Sequence, residues 1–360
     1  MMPCMRSAEH RSSRAERLTN TARAASAARR KTRCRPLALV AAIVGLSAGG
    51  ASAAGLPLQP VADIPLGGNT TRLDYTSLDS DRHLLFIAHL GDSAVIVFDT
   101  QARRVVARIA NVSKVHGVLA IPQLHTVYAS ATGTNEVVAI DDRSWQITAR
   151  IPAGVYPDGM AYAPAVRKLY VSDEHGNTET VIDAGRNLRV ATIPLGGEVG
   201  NSQYDPVSQH VFANVQTRAE LVEIDPATDK VVGRTPLPGA KGNHGLLIDS
   251  ERQLAFIACE DNATLLILDL RSRKIAGSFR TGSDPDVLAF DPGLGLVYVA
   301  SESGNTALFG FEAGKVVKVG EVFSGPHAHV VAVDPLTHDV YLPLMNLDGA
   351  TALRIVRPSQ

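Results

Sequence analysis

Aromatic side chains make up only 5% of this 360-residue chain, and Trp145 is its single tryptophan. So thin a supply argues against a surface on which nucleobases or sugar rings would stack. Cysteine is rarer still, with Cys4, Cys34 and Cys259 as the whole set. The first two fall in a segment read below as a leader. Cys259 would then stand alone, no intramolecular disulfide could form, and the residue reads as a small buried apolar group. There is no C-x-x-C pair and no C-x-x-C-H haem attachment site, and neither a G-x-S-x-G elbow nor a glycine-rich phosphate loop with its lysine occurs. No apolar run reaches the roughly 20 residues that a membrane-spanning helix needs.

Charge is scarce in net terms, at −1 for the whole chain, but it is unevenly spread. Residues 1–53 hold ten Lys/Arg, including Arg29, Arg30, Lys31, Arg33 and Arg35, against Glu9 and Glu16 alone. The apolar run Leu37 to Leu46 follows, then Ala51-Ser52-Ala53. A basic stretch, a short apolar stretch and small residues are the layout of a secretory signal peptide, with cleavage expected near Ala53. The Arg29-Arg30 pair lacks the apolar residues of a twin-arginine signal behind it, so the export route stays open. Without the leader the chain carries about −9, since ten of its 35 basic and two of its 36 acidic residues are removed. An acidic body with no basic run lacks the footprint of a nucleic-acid binder. A periplasmic or secreted, monomeric protein without a membrane span is expected.

What is present is a repeat. An aromatic inside a short apolar run recurs at Phe86, Tyr128, Tyr170, Phe212, Phe256, Tyr298 and Tyr341, in steps of 42, 42, 42, 44, 42 and 43 residues. Thirteen residues after the first five stand Asp99, Asp141, Asp183, Asp225 and Asp269, which read as hairpin-turn starters. Self-similarity at about 40–45 residues, with some four short strands per unit, is the signature of a β-propeller blade. The expected fold is all-β: a seven-bladed propeller of four-stranded antiparallel blades, one domain over 54–360. Gly159-Met160-Ala161-Tyr162 reads as an innermost strand buried on both faces. The last unit ends at Leu353-Arg354-Ile355-Val356 without a fourth strand. The stretch Gln59 to Leu66 would supply it, closing the ring and removing its exposed edges.

Twelve residues before each aromatic lies the mouth of an innermost strand, and these positions are Asp74, His116, Asp158, Gly200, His244, Asp286 and His329. A propeller gathers such equivalent positions around one end of its channel. Arg72, Asn201, Asn243 and His327 flank this ring. Glu174, Gln216, Glu260 and Glu302, with His89 and Asp173, fall in loops opening at the same end. His83, His125, His210 and His338 lie in turns at the other end and read as solvated.

Imidazoles beside carboxylates suit a divalent cation, so His116, His244 and His329 are the candidate metal ligands for one ion of unassigned identity. Arg72, Asp74, Asp158, Asn201, Asp286, Glu174, Gln216, Glu260 and Glu302 are the candidate ligand-binding residues. Polar residues at strand starts also cap backbone groups, and Pro157 and Pro285 mark turns, so a structural role for the Asp positions stands beside the functional one.

Repeats such as LYVSDEHGNTETVID, VYVASESGNT and LLILDLRSRKIAGSF resemble the YVTN family of bacterial β-propellers, and more closely its YncE-like exported members, over about residues 60 to 357. The resemblance implies an exported binding or scaffold module, with DNA binding proposed in the group. Its propeller relatives include lactonases and lyases. Three functions follow as expectations: a binding protein with a ligand or metal site at the channel mouth, a lactonase-like metal-dependent hydrolase or lyase, and a protein-interaction scaffold.

Overall fold

A computed structural model describes residues 58–359, and the leader expected over 1–53, with Cys4 and Cys34, lies outside the described residues. The described chain forms seven four-stranded antiparallel sheets. Blades 1 to 6 run in chain order from Thr76–Ile109, Val115–Pro152, Pro157–Pro194, Val199–Pro236, Asn243–Arg280 and Pro285–Phe323. Blade 7 takes its three inner strands from Ala332–Val333, Val340–Leu347 and Ala350–Pro358, and its outer strand from Leu58–Pro65. The ring therefore closes as expected, by the two ends of the propeller pairing. Leu58 lies opposite Pro358 and Ile64 opposite Leu353. The Arg354 guanidinium donates to both carboxylate oxygens of Asp63 at 2.8 Å, a bidentate clasp across the closure.

Alternating apolar residues on each blade interlock with those of its neighbour. Leu84, Phe86, Val95 and Val97 of blade 1 pack on Val127, Ala129 and Val138 of blade 2. The repeated aromatic has a specific role there: it reaches into the outer hairpin turn of the next blade. Phe86 meets Trp145, Phe256 meets Phe311 edge-on, and the Tyr128 hydroxyl donates to Asn187 at 2.6 Å. Tyr170 does the same to Asp229 at 2.6 Å, and Tyr341 hydrogen-bonds Thr100 of blade 1 across the closure. Asp99, Asp141, Asp183, Asp225 and Asp269 accept from backbone N–H groups two or three residues on, as turn starters should.

The innermost strands differ from the expectation of burial on both faces. In Pro157–Ala163, Met160 and Tyr162 are half-buried while Ala161 and Ala163 are buried, because one face lines the channel. Cys259 is buried and unbridged, and burial pushes its thiol up to about 12. No helix among the described residues is long and apolar enough to cross a membrane.

Candidate functional site at the channel mouth

The pairing of the first two strands slips at the mouth in blades 2 to 6, between Val115 and Val118, Pro157 and Met160, Val199 and Ser202, Asn243 and Leu246, and Pro285 and Leu288. His116, Asp158, Gly200, His244 and Asp286 each sit inside such a bulge, which turns a side chain out of the ladder and toward the axis. Glycine follows three of these residues for a packing reason. A Cβ on Gly117 or Gly245 would collide with the backbone carbonyl of Asp158 or Asp286 in the next blade.

Bulges and close packing bring the expected ring together at one end, but not around one point. Two pockets open there, of about 540 and 520 Å³, and Arg72 lines both. Its Nε donates to Asp74 at 3.1 Å and its Nη1 to Glu302 Oε1 at 2.5 Å. His116 stands on one side of this divide. Its Nδ1 is 2.9 Å from the Lys114 carbonyl oxygen and its Nε2 is 3.0 Å from the Tyr156 hydroxyl. Burial lowers its pKa despite the nearby Asp74.

His244 and His329 flank Asp286 instead. Ligand atoms of His244, Glu260 and Asp286 lie within 4.8 Å of one another, and so do those of Asp286, Glu302 and His329. The three histidines therefore do not converge; His244 and His329 share a carboxylate, and His116 and His244 each meet a tyrosine hydroxyl. His244 Nε2 is 3.7 Å from Asp286 Oδ1 and 3.6 Å from Asp158 Oδ2. Gln216 lies 3.0 Å from its Nδ1 and also reaches Glu174 at 3.4 Å. The same Gln216 amide nitrogen makes both contacts, and the Tyr75 hydroxyl meets the other ring nitrogen, Nε2, at 2.7 Å.

Electrostatics at the mouth are one-sided. Asp74, Asp158, Glu174, Glu260, Asp286 and Glu302 face two fixed cations, Arg72 and Lys114. Burial raises Asp158 well above the carboxylate range and raises Asp286, while burial with Asp286 and Glu174 nearby pushes Glu260 up to about 7. Burial opposes charge on His244, but Glu260, Asp286, Asp158 and Glu174 together push it up to about 9. Burial likewise opposes charge on Glu302, yet His329 and Arg72 hold it low. Crowded carboxylates in a buried site cannot all ionise: they keep protons, or they share an added cation. Asp158 and Asp286 each keep a buried oxygen without a hydrogen-bond partner, and His329 keeps a buried Nε2 in the same state.

Asn201 sits one level deeper, on the channel wall, where it hydrogen-bonds the Tyr75 hydroxyl. His89 and Asp173 depart from the expectation that they open into the mouth. His89 is fully buried against Thr71 and Asp92, and Asp173 accepts from Thr178, Thr180 and the Gly154 N–H, so both hold loops. The turn histidines are also less free than expected: His210 pairs with Glu223 and His338 with Asp291, each at 2.7 Å.

Sequence reasoning did not single out Tyr75, Tyr156 and Lys114. Tyr75 Oη lies 2.7 Å from His244 Nε2 and forms the floor between mouth and channel. Lys114 and Tyr156 precede their ring residues by two positions, the same offset as Arg72 and His327. That offset was the available signal.

No family model matches the chain, and no curated protein matches it. Solved structures of similar shape are many. A chain of hydrazine synthase from Kuenenia stuttgartiensis superposes with a TM-score of 0.69 at 16% identity, covering 88% of this chain and 99% of that one. A chain of a mitotic checkpoint complex does so at 0.71 and 11% identity, covering 91% and 99%. At such identities the likeness establishes the fold alone: this is a seven-bladed β-propeller, a class that binds or scaffolds in many settings.

Proposed function

We propose that this chain is an exported binding protein of the YVTN-repeat, YncE-like kind whose channel mouth takes up a divalent cation through His244, Glu260 and Asp286. The observation that carries the reading is the excess of buried carboxylate around a histidine whose neighbour Asp286 has an unsatisfied oxygen. One imidazole with two carboxylates suits Zn²⁺, Mn²⁺ or Fe²⁺ better than Ca²⁺, which prefers six to eight oxygens. Zinc bonds of about 2.0–2.2 Å place ligand atoms up to about 4 Å apart. The 3.7 Å between His244 and Asp286 already meets that spacing. Remaining coordination positions face the 520 Å³ pocket, where a small anionic ligand could bind the ion. Export rests on the leader, and the acidic body argues against nucleic acid as partner.

The hydrolase or lyase reading draws on the same open positions, since a metal with a free site can activate water. The scaffold reading is weaker, because the exposed large apolar residues, among them Leu188, Val207, Phe323 and Leu336, are spread over blades 3, 4, 6 and 7. The test is elemental analysis of protein purified without chelator, repeated on His244→Ala and Asp286→Asn. A bound transition metal lost in both variants is expected. Metal-free protein that also fails to take up Zn²⁺ or Mn²⁺ on titration would sink the reading.

A further inference from the structure

We infer that the mouth holds a second divalent cation, ligated by Asp286, Glu302 and His329, so that Asp286 bridges two ions. This rests on the single-ion reading above and extends it. The grouping of the three residues would not suffice without the state of their atoms. His329 Nδ1 lies 3.0 Å from the His327 carbonyl oxygen, which fixes the proton on Nδ1 and leaves Nε2 as a lone pair. That Nε2 is buried without a partner, on a residue only 4% exposed. A backbone carbonyl on the far nitrogen is the usual support of a metal-binding imidazole.

His116 makes the contrast. It has the same tie, from Nδ1 to the carbonyl two residues back, but its Nε2 is already met by Tyr156 at 3.0 Å. Only His329 keeps the tie and an open lone pair together.

Glu302 is divided in a way that fits. Arg72 takes Oε1, while Oε2 lies 3.6 Å from the protonated Nδ1 of His329 and 3.6 Å from His327 Nδ1, so to share an ion with Nε2 it would turn about its own side chain. Arg72 is then a positioning residue, holding Glu302 without occupying its second oxygen. Asp286 Oδ1 has no hydrogen-bond partner and Asp286 belongs to both donor groups. Two ions sharing a carboxylate stand about 3.5–4 Å apart in two-metal sites. The second ion would face the 540 Å³ pocket, whose walls include Ser283, Ser303, Pro343 and Met345. An oxyanion, either a carboxylate or a phosphate, is the ligand class that could bridge both ions there.

The test strips the full chain with a chelator and titrates it with Zn²⁺ against a chromophoric competitor, with Mn²⁺ loading followed by electron paramagnetic resonance. Wild type is expected to take two equivalents and to show a spin-coupled Mn²⁺ pair. His329→Ala and the near-isosteric Glu302→Gln should each retain one equivalent, with the other weakened at least tenfold, and should lose the coupling. Glu302→Gln keeps the test valid if His329→Ala fails to fold. Saturation of wild type at one equivalent overturns this inference and leaves the single-ion reading standing. Two equivalents persisting in both variants also overturns it, by placing the second ion elsewhere. No uptake overturns both readings.

Discussion

At the rim opposite the candidate site, the His338 Nδ1–H donates to the buried Asp291 at 2.7 Å, and His210 pairs in the same way with Glu223, which also receives Arg273 of the next blade. Arg82 reaches Asp142 of blade 2 at 2.6 Å, and Lys168 reaches Asp229 of blade 4 at 2.7 Å. Every one of these acids has a basic partner, most of them across a blade boundary. At the mouth, equivalent residue types end differently: acids outnumber fixed cations, and Asp158, Asp286 and His329 keep buried polar atoms unsatisfied, whereas at the other rim Asp142, with one free oxygen of its own, still has Arg82 on the second. Residue type alone therefore does not separate stitching from binding. What separates them is whether each acid has a basic partner of its own.

Several measurements would break or sharpen that contrast. The largest effect is expected between the rims, at Glu179. It is fully buried against Ser172 and Ser202, and burial pushes its carboxyl from 4.5 up to about 8. Between about pH 4.5 and 8 the folded chain thus keeps a proton that the unfolded chain has released. Its contribution is intact below pH 4.5 and is lost as pH rises through 8, by an amount on the order of several kcal/mol. Glu179→Gln should flatten that slope. Denaturant melts at pH 5 and pH 8.5 that change equally in wild type and variant would show the acid is not protonated in the fold.

Metal comes next. Zn²⁺ at 100 times its dissociation constant should raise stability by about 2.7 kcal/mol. Asp286→Asn should abolish the gain, and a thermal shift of equal size in that variant would remove the mouth from consideration. Asp291→Ala should cost about 2 kcal/mol, since it strips His338 and a turn N–H of a buried acceptor. Asp158→Asn, by contrast, should leave metal-free stability near neutral pH almost unchanged, because burial already keeps this carboxyl protonated and the amide is close to it in shape. Equal losses at both positions would erase the distinction between the rims.

The smallest effect compares two equivalent tyrosines. Tyr128→Phe removes hydroxyl bonds to Asn187 and the Ala184 carbonyl and should cost about 1 kcal/mol. The Tyr298 hydroxyl is buried with no partner, so Tyr298→Phe should be neutral or stabilising. A cost for Tyr298→Phe matching that of Tyr128→Phe would mean its hydroxyl is satisfied in solution.

Blade number, strand count and closure were legible from one sequence, because each repeat meets the same neighbours and repeats the same aromatic and aspartate. The ring of seven positions was legible too, since equivalent positions in a closed ring must share one end. Its internal pairing was not. His116 and His329 occupy the same offset with the same backbone tie, yet one faces Tyr156 and the other an open pocket. His89 and Asp173 share an offset in their loops and both turn inward to hold them.

The sequence by itself determined the propeller, its closure by a strand expected over Gln59 to Leu66 and found at Leu58–Pro65, and the end of the channel at which the seven strand starts gather. Only the tertiary structure decided that Asp286, between His244 and His329, is the shared carboxylate, that Arg72 divides the mouth, and that Tyr75 closes it below. The physical reason is that a period specifies where a strand begins, whereas bulge direction and the packing of unlike neighbours in adjacent blades specify which side chains meet across the axis.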